Sequence, residues 1–118
     1  MSDYRLAPIE ARFAEIIWSK EPLTTAELVK ECEKELNWKR TTTYTVLKRL
    51  SERGIFENDS GIVRALISKK EFYARQSKEF VEDSFNGSLP AFLAAFSNGR
   101  KLTEKEIVEI KKLIDGME

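Results

Sequence analysis

Histidine is absent from the 118 residues, which removes the usual general base near neutral pH and the commonest nitrogen ligand for zinc, copper or iron. Gly54, Gly61, Gly87, Gly99 and Gly116 stand alone, so there is no glycine-rich phosphate loop, and each fits a helix end or a turn. Glu31 with Glu35 and Glu82 with Asp83 are carboxylate pairs on lysine-rich helix faces, the pattern of a solvated surface rather than an acid-base dyad. The single cysteine, Cys32, allows neither an intrachain disulfide nor a thiolate cluster, and it fits a buried or half-buried helix position. Lacking a nucleophile-base pair, the sequence reads as a non-enzyme with no cofactor and no metal.

The chemistry that remains is recognition of a polyanion. The 20 basic and 20 acidic residues cancel, but unevenly: residues 1–38 carry five bases and eight acids (net −3), 39–53 carry five and one (net +4), and 54–118 carry ten and eleven (net −1). One short element therefore holds the positive charge, the local footprint of a nucleic-acid-reading helix. Its sequence is Trp38-Lys39-Arg40-Thr41-Thr42-Thr43-Tyr44-Thr45-Val46-Leu47-Lys48-Arg49-Leu50. Threonine and tyrosine are poor helix formers, so propensity does not explain their clustering early in a helix. Base edges in a major groove do: hydroxyls donate or accept there, threonine methyls touch the thymine methyl, and Lys and Arg hold phosphate. Helical spacing puts Thr41, Tyr44, Thr45 and Lys48 on one face, with Thr42 and Arg49 near its boundary. The expected DNA-binding set is Lys39, Arg40, Thr41, Thr42, Tyr44, Thr45, Lys48 and Arg49, joined by Arg64 from a following hairpin. A solvated polar face is the bland alternative.

Positioning this helix requires a scaffold that the flanking pattern supplies. A first helix is expected from Pro8, whose fixed φ suits a first turn, to about Ser19, with Ile9, Phe13, Ile16 and Ile17 on one face. Glu21 and Pro22 break it, and Thr24-Thr25-Ala26-Glu27 reads as a capping box opening a second helix, Thr25 to about Leu36. After a short turn at Asn37 and Trp38, the third helix runs from Arg40 to about Arg53, with Tyr44 or Val46, Leu47 and Leu50 inward and Gly54 as its stop. Two helices joined by so short a turn form a helix-turn-helix. Ile55-Phe56-Glu57 and Ile62 to Ile67 flank the turn composition Asn58-Asp59-Ser60-Gly61, a hairpin, and Leu23-Thr24 offers a third short strand. This is the order of a winged helix, and the predicted division is a winged-helix domain over 1–68 and a helical domain over 69–118. The predicted fold class is mostly α with a small β-hairpin wing.

The second part opens on Ser68-Lys69-Lys70-Glu71, another capping pattern, and a helix to about Phe85. Asn86-Gly87 ends it. A short apolar helix follows to Ser97, and a last one is capped by Thr103 and Glu106 and ends before Gly116. Phe72, Phe80, Phe85, Leu89, Phe92, Phe96, Ile107, Ile110 and Ile114 give these helices apolar stripes too large to bury on one another, and such patches usually meet a partner. A symmetric homodimer is the expected answer, with packing onto the winged domain in a monomer as its rival. The length suits one core of this size plus an appendage. No apolar run spans a bilayer, and the start MSDYRLAPIEARF lacks signal-peptide character, so the expected location is the cytoplasm.

The order and spacing of several pieces resemble the penicillinase-repressor family, which includes β-lactamase, methicillin-resistance and copper-export repressors. The pieces are Pro8-Ile9-Glu10, Ile16-Ile17-Trp18, Pro22-Leu23-Thr24, Trp38 with Thr42 through Leu50, Gly54, Gly87-Ser88-Leu89, Ala94-Ala95-Phe96, Lys101-Leu102-Thr103 and Glu106-Ile107. The resemblance implies a winged-helix repressor of palindromic operators with a helical dimerisation domain. In the antibiotic-resistance members it further implies a membrane-bound sensor protease system that leads to cleavage in that domain. Their scissile pair is asparagine-phenylalanine; the matching pair here is Ala95-Phe96, so this cleavage site is an expectation from resemblance alone. The copper branch carries paired cysteines near its C-terminus, which this chain lacks, so copper sensing is not expected. The wing is shorter and more acidic than is usual in the family, and Lys39 stands where a capping serine is common. A winged-helix protein-interaction module without sequence-specific DNA binding is the alternative from another class.

Overall fold

The computed structural model describes residues 4–117. The elements in chain order are α1 (Pro8–Lys20), β1 (Leu23–Thr24), α2 (Thr25–Leu36), α3 (Arg40–Glu52), β2 (Phe56–Asp59), β3 (Ile62–Ala65), α4 (Lys69–Phe85), α5 (Leu89–Gly99) and α6 (Glu104–Asp115). The strands form one antiparallel sheet in the order β1-β3-β2. The expected fold class, helical with a small hairpin wing, is the one observed. The chain divides into two compact units, Met1–Ser77 and Lys78–Glu118.

Local chemistry explains the boundaries in the first unit. The Thr24 hydroxyl accepts from the Glu27 amide at 3.1 Å while Glu27 accepts from the Thr24 amide at 3.0 Å, so the capping box closes α2 as its spacing requires. This pairing also holds the Glu27 carboxyl below its ordinary range. At the other end Asn37 takes a left-handed φ of 55°, and the α2 carbonyls of Cys32 and Glu33 accept from the Trp38 and Asn37 amides. Gly54, at φ 79°, does the same for α3.

The hairpin is tighter than its composition suggested. β2 continues through Asn58 and Asp59, and only Ser60 and Gly61 turn, at φ 52° and 91°. Two successive positive φ values are those of the two-residue turn that matches strand twist. The Asn58 side chain accepts from the Gly61 amide at 3.0 Å. β3 ends at Ala65, so Leu66 and Ile67 lie beyond the strand, and the Ile67 carbonyl accepts from the Trp18 indole at 3.0 Å.

Phe13, Ala14, Ile16, Ile17, Leu28, Val46, Leu47, Leu50, Phe56 and Val63 form the core, joined by Phe72. Two expectations are corrected here. Ile9 is 42 % exposed, and Glu10 takes the buried position beside it. The reason is the helix start: the Glu10 carboxylate accepts from the Ala7 amide at 2.9 Å, which turns that side chain inward and Ile9 outward. Phe72, expected in a dimer face, is wholly buried in this core instead, edge-on to Tyr4 at 5.8 Å and tilted against Trp18 at 5.5 Å. It carries the first turns of α4 into the first compact unit, which runs to Ser77.

The second unit is built differently: none of its described residues is buried. Phe80, Phe85 and Phe92 meet edge-to-face with centroids 5.6–6.0 Å apart, and Phe96 leans on Phe92 at 6.3 Å. Phe80 nevertheless stays 47 % exposed. α6 starts on a reciprocal Thr103–Glu106 box, and Arg100 grips the same carboxylate with two nitrogens at 3.1 and 2.8 Å. Those bonds, the Arg100 ones first, hold Glu106 down at about 2.

Candidate nucleic-acid interface

The face that α3 presents follows from the face it buries. Thr43, Val46, Leu47 and Leu50 recur at three- and four-residue spacing and turn inward. Of the two inward candidates left open by sequence, Val46 is buried and Tyr44 half-buried. Thr43, the one threonine of the run left out of the expected DNA-binding set, lies on the inner face. It is 1 % exposed, with its hydroxyl 3.5 Å from the Lys39 carbonyl and against the Cys32 thiol. Burial pushes that thiol up to about 11.

Opposite this face, Thr41, Thr45 and Lys48 are exposed, and Lys39, Arg40, Thr42 and Arg49 flank them in the open. Lys39 offers no side-chain cap, so the first amides of α3 stay available to an anion. The Thr45 hydroxyl donates to the Thr41 carbonyl at 2.9 Å. With its hydrogen committed, Thr45 shows the outside a methyl group and acceptor lone pairs. Tyr44 stands at the edge of this face. A hydrogen bond with the Thr25 side chain, then the charge of Arg40 over its ring at 5.5 Å, draws its hydroxyl below the usual phenol range.

Three features escaped the sequence reading. Glu52 follows Lys48 by one turn and, with Thr45, Lys48, Arg49 and Arg53, lines one shallow concavity, so one acid stands among the cations at the C-terminal end of α3. Arg53 donates to the Arg5 carbonyl, and Arg49 reaches the Glu10 carboxylate at 3.1 Å. A Glu near a helix start is visible in sequence; its cation thirty-nine residues on is not. Arg64 is exposed on β3, but Glu57 stands directly opposite it on β2, so the lone base of the wing faces an acid across the ladder.

Of the expected dimer residues, Leu89, Phe96, Ile107 and Ile114 are 38–55 % exposed, like Phe80, while Phe85, Phe92 and Ile110 are half-buried. Leu113, expected in the same α6 stripe, is also exposed, while Val108 on α6 and Met117 just beyond it are exposed apolar side chains that were not expected there. Ala95 and Phe96 are both exposed but lie inside helix α5, with Arg100 over the Phe96 ring at 4.8 Å. Among the described residues no group of side chains is placed to hold a metal ion, and no helix is long and apolar enough to cross a membrane.

A helix-turn-helix backed by a three-stranded wing, followed by a helical C-terminal region, defines a winged-helix protein. The model of the penicillinase repressor family matches residues 6–116, and the chain belongs to that family. It is 22 % identical over 116 residues to the methicillin resistance regulatory protein MecI of Staphylococcus aureus, covering 95 % of this chain and 94 % of that one. The MecI protein of Mammaliicoccus sciuri matches at the same identity and coverage. The penicillinase repressor of Bacillus licheniformis is 23 % identical over 115 residues, 94 % of this chain and 90 % of that protein. The family is one of repressors rather than enzymes.

Proposed function

We propose that the protein represses transcription by binding palindromic double-stranded operator DNA as a homodimer, with α3 in the major groove. The observation that carries this reading is the two-sidedness of α3: an inner face anchored in the core and an outer face of Thr41, Thr45 and Lys48, started by uncapped amides and two further cations. Lys48 and Lys39 serve phosphate, Arg40 flanks them, and Thr41, Thr42, Tyr44 and Thr45 face base edges. Arg64 contributes little, since Glu57 offsets it. A cytoplasmic location follows from operator binding.

The homodimer rests on the second unit, whose apolar side chains stay uncovered. A second copy covering Phe80, Leu89, Phe96, Ile107 and Ile114, around the half-buried Phe85, Phe92 and Ile110, supplies the missing core. Pairing also lets two α3 helices read two half-sites at once. If a sensor protease system acts on this chain at Ala95–Phe96, it must first unwind α5.

The test is selection of duplexes from a randomised pool by the purified chain, followed by titration of the enriched duplex against a random one at several salt concentrations. The reading requires tighter binding to the enriched duplex and a log-linear loss of affinity with salt. No enrichment, together with salt-resistant capture of a protein, would support the protein-interaction module instead.

A further inference from the structure

The five cations of residues 39–53 are not equivalent. Arg49 is 54 % exposed at its side chain, so exposure alone would let it reach a phosphate. Its partner decides otherwise. Glu10 is 11 % exposed at its side chain, far less than the 25–64 % of the carboxylates in the other ion pairs among the described residues. Both Glu10 oxygens are used: Oε1 accepts from the Ala7 amide at 2.9 Å, closing the start of α1, and Oε2 accepts from Arg49 at 3.1 Å. Swinging Arg49 out to a phosphate would take from this largely buried carboxylate its bonded cation and leave it to the nearby charge of Arg53, which disfavours the swing.

The placement of the pair gives it a use. The backbone of α3 approaches α2 and β2 more closely than it approaches α1, with which it shares the apolar core. The Arg49–Glu10 bond ties it to α1, on the flank that also carries Thr42. Lys48, by contrast, has no ion-pair partner among the described residues and points outward.

Building on the DNA-binding reading above, we infer that Arg49 is a positioning residue: Glu10 withholds it from phosphate and uses it to fix the roll of α3 on α1, and thereby the aim of Thr41 and Thr45. Two consequences follow. The phosphate charge of α3 comes from Lys39, Arg40 and Lys48, fewer than the sequence suggests. Loss of Arg49 damages discrimination between duplexes rather than the salt dependence.

The experiment compares wild-type chain, Lys48→Ala, Arg49→Ala and Arg49→Gln on the enriched duplex and on a random duplex of equal length, across a salt series. A lost phosphate contact flattens the slope of log affinity against log salt by about 0.9 per half-site. Lys48→Ala is expected to do so and to weaken both duplexes alike. Arg49→Ala is expected to keep the wild-type slope while losing about tenfold in preference for the enriched duplex. Arg49→Gln, which still offers Glu10 a donor without a charge, is expected to recover part of that preference at the same slope.

A flattened slope in Arg49→Ala, matching Lys48→Ala, overturns the inference and makes Arg49 a phosphate contact. An unchanged preference in Arg49→Ala also overturns it, since the bond then aims nothing. If Arg49→Ala does not fold, Arg49→Gln decides on the same two readouts: a flattened slope or an undiminished preference in that variant overturns the inference. Failure of the underlying DNA reading looks different, because the wild-type chain then shows neither enrichment nor a salt slope.

Discussion

The two units of this chain reach stability by different routes. The winged unit hides Phe13, Phe56 and Phe72 completely and satisfies its helix ends with side-chain and glycine caps. The C-terminal unit also brings four aromatic rings into mutual contact, yet buries none of its described residues. The difference lies in geometry rather than composition. Helices packed against a sheet enclose side chains from several directions, whereas short helices laid on one another leave each ring one open side. On the proposed reading, a unit of that kind is half of a core, and its apolar stripe is a surface made to be covered.

The comparison breaks most sharply at Phe13. Truncating it to alanine is expected to cost about 3–5 kcal/mol in thermal unfolding, since the ring is fully enclosed. A loss under about 1 kcal/mol would mean that the winged core is looser than its burial indicates. Ile114→Glu is the counterpart in the open unit. It should leave the main unfolding transition within about 0.5 kcal/mol, as exposed substitutions do, while raising the dimer dissociation constant at least tenfold in sedimentation equilibrium. A variant that associates like the wild-type chain would show that the α6 stripe is not the covered surface.

A smaller effect is expected at the reading face. Thr45→Val keeps a methyl group and removes the acceptor oxygen, so it should lower the preference for the enriched duplex by about 1–3 kcal/mol if the oxygen meets a base amino group. Thr45→Ser keeps the acceptor and loses the methyl, which separates the two contacts.

Acidification sharpens the contrast from another side. Glu106 sits at about 2 in the folded chain against an ordinary value of 4.5, so its contribution is complete above about 4.5 and is lost as pH falls toward 2. Helical circular dichroism should then report fraying at the start of α6 in that window, and Arg100→Ala should shrink the pH dependence without abolishing it, since the Thr103 bonds to Glu106 remain. The smallest effect is expected at Cys32, where a thiol pushed up to about 11 by burial should resist alkylation at neutral pH until the chain unfolds.

Much of this was legible in the sequence wherever a local rule decides. The Thr24–Glu27 and Thr103–Glu106 boxes, Gly54 and the Asn58-to-Gly61 turn composition placed most helix ends and the hairpin within a residue or two. The fold class followed from their order. What was not legible depends on which side chain faces which neighbour. Ile9 and Glu10 exchanged places because a capping carboxylate outweighed an apolar periodicity. Helical spacing kept Thr43 out of the reading face, but its enclosure against the Lys39 carbonyl and the Cys32 thiol depends on packing that spacing does not show. Phe72 looked like one more ring in the C-terminal stripe, and only the placement of Trp18 and Tyr4 shows where it belongs. The charge count of residues 39–53 overstated the free cations for the same reason, since Glu10 is distant in sequence.

Both units enter one measurement: the mass of the complex that the chain forms with its enriched duplex, read by sedimentation at low salt. Two chains per duplex are predicted, with Ile114→Glu requiring much higher protein concentrations to reach the same complex. One chain per duplex, unchanged in Ile114→Glu, would contradict the account of a repressor that reads DNA with one unit and pairs through the other.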